Sequence, residues 1–214
     1  LAFAAVLASS SLAVGAAAVP QSAAAAQPVV QVVTVKVNPG KLEQYRQEIK
    51  KIRGVLTRLG SKATLRVWNT AEGGVDAGQI LVGLEYPDAA SWAADSAKTQ
   101  ADAEWQKIQA GLSEIRTVVS NSLWTDTSQE TSRSGAGSAL VLMGVAVKPG
   151  KLEAYRQRVG SVNAINDRLK IPARIRVWQA ELAGTAAGSV AIGIEYPDVP
   201  AYVAAQQKLA DDAE

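Results

Sequence analysis

The sequence predicts an α+β protein built from two tandem copies of one βαββαβ unit, the second truncated before its last strand. Three observations carry this prediction. First, Val35-Lys-Val-Asn-Pro-Gly-Lys-Leu-Glu-Gln-Tyr-Arg-Gln47 returns as Val145-Ala-Val-Lys-Pro-Gly-Lys-Leu-Glu-Ala-Tyr-Arg-Gln157. Arg66-Val-Trp68 returns as Arg176-Val-Trp178, and Glu85-Tyr-Pro-Asp88 as Glu195-Tyr-Pro-Asp198, each 110 positions later, so no insertion or deletion separates the copies here. Second, aligning 32–104 with 142–214 gives 29 identities in 73 positions, far above what composition produces. The period is too long for a solenoid repeat, so the unit is a duplicated domain. Third, the spacing of apolar residues switches between two and three-to-four residues in a fixed order along each copy.

In the first copy, Val29 to Val37 is rich in β-branched residues and is ended by Asn38-Pro-Gly40, a turn signal. Lys41 to Leu59 carries Leu42, Tyr45, Ile49, Ile52, Val55, Leu56 and Leu59 at helical spacing, with charges on the opposite face. Gly60 supplies the stop. Thr64 to Trp68 alternates as a strand, Glu72 to Gly78 is a hairpin loop, and Gln79 to Tyr86 is the returning strand. Pro87-Asp88 breaks that strand, and Asp88 is placed to cap the next helix. Ala89 to Leu112 is this second helical region, with an interruption near Ala101-Asp102, and Arg116 to Trp124 closes the unit.

This order is the split βαβ of ferredoxin-like domains. Such a unit places both helices on one sheet face, so the other face needs a cover, and the same face of the second copy is the obvious one. The expected domains are 29–125 and 139–214, joined by a flexible Ser/Thr/Gly linker over 126–138. Glu214 aligns with Glu104, so the second copy is expected to lack about 20 residues that the first has, in a chain that belongs to a longer reading frame.

Composition removes whole classes of chemistry. There is no Cys, hence no disulfide, thiolate nucleophile or Cys-based zinc site, and no His, hence no histidine triad or imidazole ligation. No Asp-rich calcium loop appears, so no metal site is expected, and no cofactor. Net charge is +2 with both signs interspersed, and no basic block points to nucleic acid. Residues 1–26 stand apart: an uncharged Ala/Ser-rich stretch reaches Ala18, then Pro20 leads to Ala23–Ala26. That reads as a secretory signal, entered part-way through, with a small-residue cleavage site near Ala26. The competing reading is a membrane anchor, against which stand Gly15, Pro20 and the short length. The expectation is export to the periplasm or the medium, with no membrane association once the signal is cleaved.

The Lys-Pro-Gly-Lys-Leu-Glu-x-Tyr opening at 148–155, the Glu-Tyr-Pro-Asp strand end at 85–88 and Asp-Ala-Glu-Trp-Gln-Lys at 102–107 together resemble dimeric α/β-barrel proteins, most of all NIPSNAP-type domains. The resemblance covers nearly the whole chain after the signal. It implies two ferredoxin-like sheets forming a barrel with helices outside, here as an intramolecular pseudo-dimer. Members of that superfamily include cofactor-free oxygenases of the antibiotic-biosynthesis type, haem-handling proteins and members without established chemistry. Its typical haem proteins ligate iron through His, and the absence of His disfavours that branch here.

Strand alternation assigns the faces. Leu65 and Val67, with Ile80, Val82, Leu84 and Tyr86, should lie under the helices. Arg66, Trp68, Gly83 and Glu85 then face the helix-free side, with Thr34 and Lys36 from the first strand. The second copy offers Arg176, Trp178, Gly193 and Glu195, but Gly144 and Ala146 in place of Thr34 and Lys36. The candidate ligand-binding residues are therefore Lys36, Arg66, Trp68, Glu85, Arg176, Trp178 and Glu195; no catalytic residue is identifiable. In the bland reading, Arg66–Glu85 and Arg176–Glu195 are cross-strand pairs that set register while the Trp side chains supply contact area. Tyr45 and Tyr155 read as core residues whose hydroxyls reach solvent, and Trp105 and Trp124 as anchors of the last helix and strand to the core.

Three functions fit. The first is a small-ligand binder without catalysis. The second is a cofactor-independent oxygenase or isomerase, in which an Arg free of carboxylates would hold a substrate oxyanion in an enclosed cavity. The third is a structural or partner-binding module, with every Arg paired and the space between the sheets filled.

Overall fold

The computed structural model describes residues 27–71, 78–128, 137–182 and 189–212. The expected signal at 1–26, the hairpin loop at 72–77 and most of the expected linker (129–136) lie outside them. The first unit runs β1 (Val29–Val37), α1 (Leu42–Arg58), β2 (Thr64–Asn69), β3 (Ile80–Tyr86), α2 (Ala89–Ala101), α3 (Ala103–Ser113) and β4 (Arg116–Asp126). The second runs β5 (Ala139–Val145), α4 (Leu152–Arg168), β6 (Arg174–Leu182), β7 (Val190–Tyr196) and α5 (Val199–Asp211).

Local chemistry sets the boundaries where the sequence places them. Asp88 accepts a hydrogen bond from the Ser91 amide at 2.6 Å and starts α2; Asp198 does the same for α5 through the Ala201 amide at 2.7 Å. Asp102 is extended, which ends α2, and its carboxylate accepts from the Trp105 amide at 2.9 Å, which starts α3. α1 ends with paired bonds from Ser61 N to Leu56 O and from Gly60 N to Thr57 O, with Gly60 at φ +63°. α4 ends in the same way, through Ile171 N to Asn166 O and Lys170 N to Asp167 O. There the left-handed position is Lys170, at φ +52°.

All seven strands form a single antiparallel sheet in the order β2-β3-β1-β4-β6-β7-β5. The two units are therefore not two separate sheets laid face to face. β4 lies between β1 and β6: Trp124 and Thr125 pair with Val30 and Val29 on one side, while on the other Trp124 stands opposite Ala180 and Asp126 opposite Trp178, with a register shift that leaves Glu181 of β6 as the extra residue. Asp126, which the sequence assigns to the linker, is the last residue of that strand. Thr127 extends the seam by donating its amide to Val177 O at 2.8 Å. β2 and β5 stand at opposite ends of the strand order, yet Trp68 of β2 and Leu142 of β5 line one lumen, so the sheet curls into a half-barrel.

The two units fill their helix-facing sides unequally. In the first, Tyr45, Ile49, Ile52 and Leu56 of α1 meet Val35, Val82, Leu84 and Tyr86 of the sheet, and α3 and β4 add Ile108, Leu112 and Leu123 to one continuous cluster. The second is shorter, and its core divides into a cluster around Val159, Val177 and Ile192 and another around Ile171, Tyr196 and Ala205. Where β6 has run past β4, the Asn163 side chain on α4 takes the place of a strand. It donates to Ile175 O at 3.1 Å and accepts from Ile175 N at 2.9 Å.

Tyr45 is a core residue, as its spacing indicates, but its hydroxyl does not reach solvent. The side chain is fully buried, and the hydroxyl accepts from Arg116 Nη1 at 3.3 Å while the guanidinium sits 5.7 Å from the ring centroid. Burial raises the phenol's pKa, and Arg116 works in the opposite direction.

Because a side chain at left-handed φ is strained and glycine is not, Lys170→Gly should raise stability by about 0.5–1 kcal/mol. A urea midpoint that rises without a change of slope would show it, and an unchanged or lower midpoint would contradict it.

Candidate functional site

Each strand sends alternate side chains to the two faces of the sheet. Leu65 and Val67 of β2 pack with the helix-side core, so Arg66 and Trp68 must face the concave side. The same alternation on β3 sends Val82 and Leu84 outward and Leu81, Gly83 and Glu85 inward. β6 repeats the pattern, with Ile175 and Val177 outward and Arg176 and Trp178 inward. The inward side chains of both units enclose a lumen of about 180 Å³, lined mainly by apolar surface.

Of the residues singled out in the sequence, Arg66, Trp68, Glu85, Arg176, Trp178 and Glu195 all line this lumen. Lys36 does not; it is exposed near the end of β1, although Thr34, two residues before it, is part of the lining. Two residues escape sequence reasoning. Trp124 faces the lumen rather than the helix-side core, and its Nε1 donates to Ser122 Oγ at 2.7 Å. Asp126 is hidden because a polar run reads as linker; the pairing with β6 that places it is a long-range fact. Trp105 packs against the helix-side core as expected.

Arg176 organises the site. It is 3% exposed, and its guanidinium meets three carboxylates. Nε donates to Asp126 Oδ2 at 2.8 Å, Nη1 to Glu195 Oε1 at 3.2 Å, and Nη2 to both Asp126 Oδ2 and Glu85 Oε1 at 2.5 Å. Glu195 is the cross-strand partner that the repeat predicts. Asp126 and Glu85 come from the other unit, so this one side chain is bonded to both halves. Glu85 also pairs with Arg66 at 3.3 Å, the first unit's own cross-strand pair. Burial by itself would lower the pKa of Arg176; Asp126 and Glu85, then Glu195, outweigh it and hold the group above its ordinary value, so it stays charged. The guanidinium also lies 5.1 Å from the centroid of the Trp178 ring.

The glycines opposite the tryptophans explain how the rings fit. A Cβ on Gly83 would stand 3.0 Å from Cζ3 of Trp68, and one on Gly193 would overlap Cζ3 and Cη2 of Trp178. In both copies the x-Gly-x-Glu-Tyr strand thus leaves room for the six-membered ring of the neighbouring strand's Trp. Among the described residues no group of three or more acidic side chains is placed to hold a metal ion; the three carboxylates around Arg176 surround a guanidinium instead.

No protein-family model matches the chain, and no curated protein matches it significantly. Solved structures do. A "putative monooxygenase" from Lactobacillus acidophilus superposes with a TM-score of 0.58 at 9% identity, covering 82% of this chain and 80% of that one. An anthrone oxidase-like protein gives 0.56 at 17% identity, covering 88% and 80%. A NIPSNAP-like domain protein from Burkholderia xenovorans covers 45% of this chain and 82% of its own, at 17% identity and a TM-score of 0.37. The first two likenesses establish the fold and nothing finer. The third is too distant in shape to argue from.

Removing the guanidinium leaves three carboxylates facing one another in a buried site, so Arg176→Ala should cost about 3–5 kcal/mol, read by chemical denaturation. A loss below about 1 kcal/mol would mean the cluster holds nothing together. Gly193→Ala must displace the Trp178 ring and should cost about 1–3 kcal/mol, more than Gly83→Ala, where the overlap is smaller. Equal losses would argue against this packing.

Proposed function

We propose that the protein is an exported NIPSNAP-like α/β-barrel protein that binds a small, largely apolar ligand between the two halves of its sheet without catalysis. The observation that carries this reading is a lumen that is open while its charges are occupied. A structural module would have filled the space between the strands; instead about 180 Å³ remains, bordered by Trp68, Trp124 and Trp178. An oxyanion-stabilising enzyme needs an arginine without a carboxylate partner; instead Arg66 is paired with Glu85, and Arg176 with Asp126, Glu85 and Glu195. A concave, mostly apolar cavity with a few fixed polar groups is the usual form of a small-molecule site.

The second reading is a cofactor-independent oxygenase or isomerase, and the similar structures described as a putative monooxygenase and an anthrone oxidase-like protein bear on its oxygenase form. At such low identity they carry fold analogy alone. Export belongs to the same proposal and rests on the uncharged Ala-rich stretch over residues 1–26. Among the described residues no helix is long and apolar enough to cross a membrane.

A thermal-shift screen with apolar and aromatic fragments tests the binding reading. Fragments should raise the melting temperature of the unmodified protein and lose that effect in Ser120→Trp, which fills the lumen from an exposed lining position. The reading falls if no fragment shifts the melt, or if the shifts persist with the lumen filled.

A further inference from the structure

The outer edge of β5 differs from the rest of the sheet. β5 ends the strand order, so among the described residues no strand lies along that side. In the first copy the corresponding side of β1 is covered by β4, and Gln31 there donates to Asn121 at 3.0 Å. An uncovered edge is a template for pairing, and proteins ordinarily blunt one with charge, proline or a bulge. Ala139 to Val147 contains neither charge nor proline, and β5 runs beside β7 without a register shift. It also lacks the polar groups of β1: Val141 stands for Gln31, Gly144 for Thr34 and Ala146 for Lys36. Leu142 and Met143, on opposite faces of β5, are both exposed.

The helix beside this edge is apolar on the same side. α4 lies against β6 and α5 against β7, so the flank of α5 turned away from α4 is the one nearer β5. Lys208 marks the opposite flank: its Nζ donates to Leu169 O and Lys170 O at the end of α4, both at 3.2 Å. At 3.6 residues per turn, Val199 lies about 180° round the helix from Lys208 and Val203 about 140°. Both valines are exposed, and their counterparts in the first copy are Ala89 and Ala93. Val199, Val203 and Met143 therefore border the free edge on the helix side, and Leu142 borders it on the lumen side.

We propose that this edge is an interface with a second copy of the chain, β5 pairing antiparallel with β5 of the copy across a two-fold axis normal to the sheet. That axis keeps the helices of both copies on the same side, so the apolar flanks of the two α5 helices meet over the seam. In a two-fold contact a surface faces itself, and any charge on it faces its own like; the strip from Ala139 to Val147 has none. The ends are complementary. Antiparallel pairing brings the Val145 end of one strand to the Ala139 end of the other, and Ala139 pairs with Tyr196, two residues before Asp198. Lys148 of one copy thus approaches Asp198 of the other, and both side chains are exposed. A strand patterned on β4 would instead set an asparagine beside Val141, where the first copy offers it Gln31. The chemistry of the edge favours the self-contact.

Sedimentation of the 214-residue chain over a wide range of concentration should show a species of twice the mass of one chain that dissociates on dilution. Val203→Lys and Val203→Glu each set like charges against each other across the seam, and each should weaken association at least about tenfold. An equal mixture of the two variants should restore the dimer, which two misfolded variants could not do. The outward amides of Ala139–Val145 should exchange slowly in the dimer and fast in either variant alone. A single-chain mass at every concentration would overturn the proposal, as would a dimer indifferent to both substitutions. Slow exchange along β5 in a single chain would overturn it too, by showing that another segment of the same chain covers the edge.

Discussion

The contacts of one guanidinium tie the two units together. Arg176 lies on β6, and of its three carboxylate partners only Glu195 belongs to the same unit; Glu85 and Asp126 reach it from β3 and β4. Burying an arginine is expensive unless its donors are satisfied with good geometry, and three carboxylates at 2.5–3.2 Å satisfy it. The consequence is positional. The bonds to Asp126 require the end of β4 to lie beside β6, and those to Glu85 require the sheet to curl until β3 and β6 face each other. The curl that creates the lumen and the charge cluster at its wall are thus two views of one constraint.

The same cluster decides what the lumen can do. Charges that neutralise one another cannot also be spent on a substrate. What lines the rest of the lumen is mostly apolar and aromatic surface. The likeness to the similar structures belongs to the scaffold.

Duplication has not kept the two copies equivalent. Arg66 is half-buried and pairs with Glu85, while its counterpart Arg176 is buried and takes three partners. Trp68 is half-buried and Trp178 buried. At the left-handed end of the first helix, Gly60 in one copy is replaced by Lys170 in the other. The helix-side core is continuous in the first unit and divided in the second. Identical strand motifs thus carry different loads, because among the strands described only β4 of the first unit pairs with a strand of the second.

Periodicity and repetition were enough to determine the unit. Alternation puts Leu65, Val67, Ile80, Val82, Leu84 and Tyr86 on the helix side and Arg66, Trp68, Leu81, Gly83 and Glu85 on the lumen side, where they are found, because the faces of a strand are fixed by backbone geometry alone. The same local logic placed Asp88 as a cap, the interruption at Ala101-Asp102, and the pairing of Arg66 with Glu85 and of Arg176 with Glu195. Tertiary structure alone decided what the copies do to each other. Asp126 reads as linker and Trp124 as core until β4 is seen to pair with β6. Lys36 shares a face with Thr34 and still falls beyond the lumen, because a face has no length limit in the sequence, whereas a curled sheet closes over only part of each strand. Contacts between residues some fifty or ninety positions apart, such as Asp126 and Glu85 with Arg176, arise from curvature and strand order, and no local pattern encodes either.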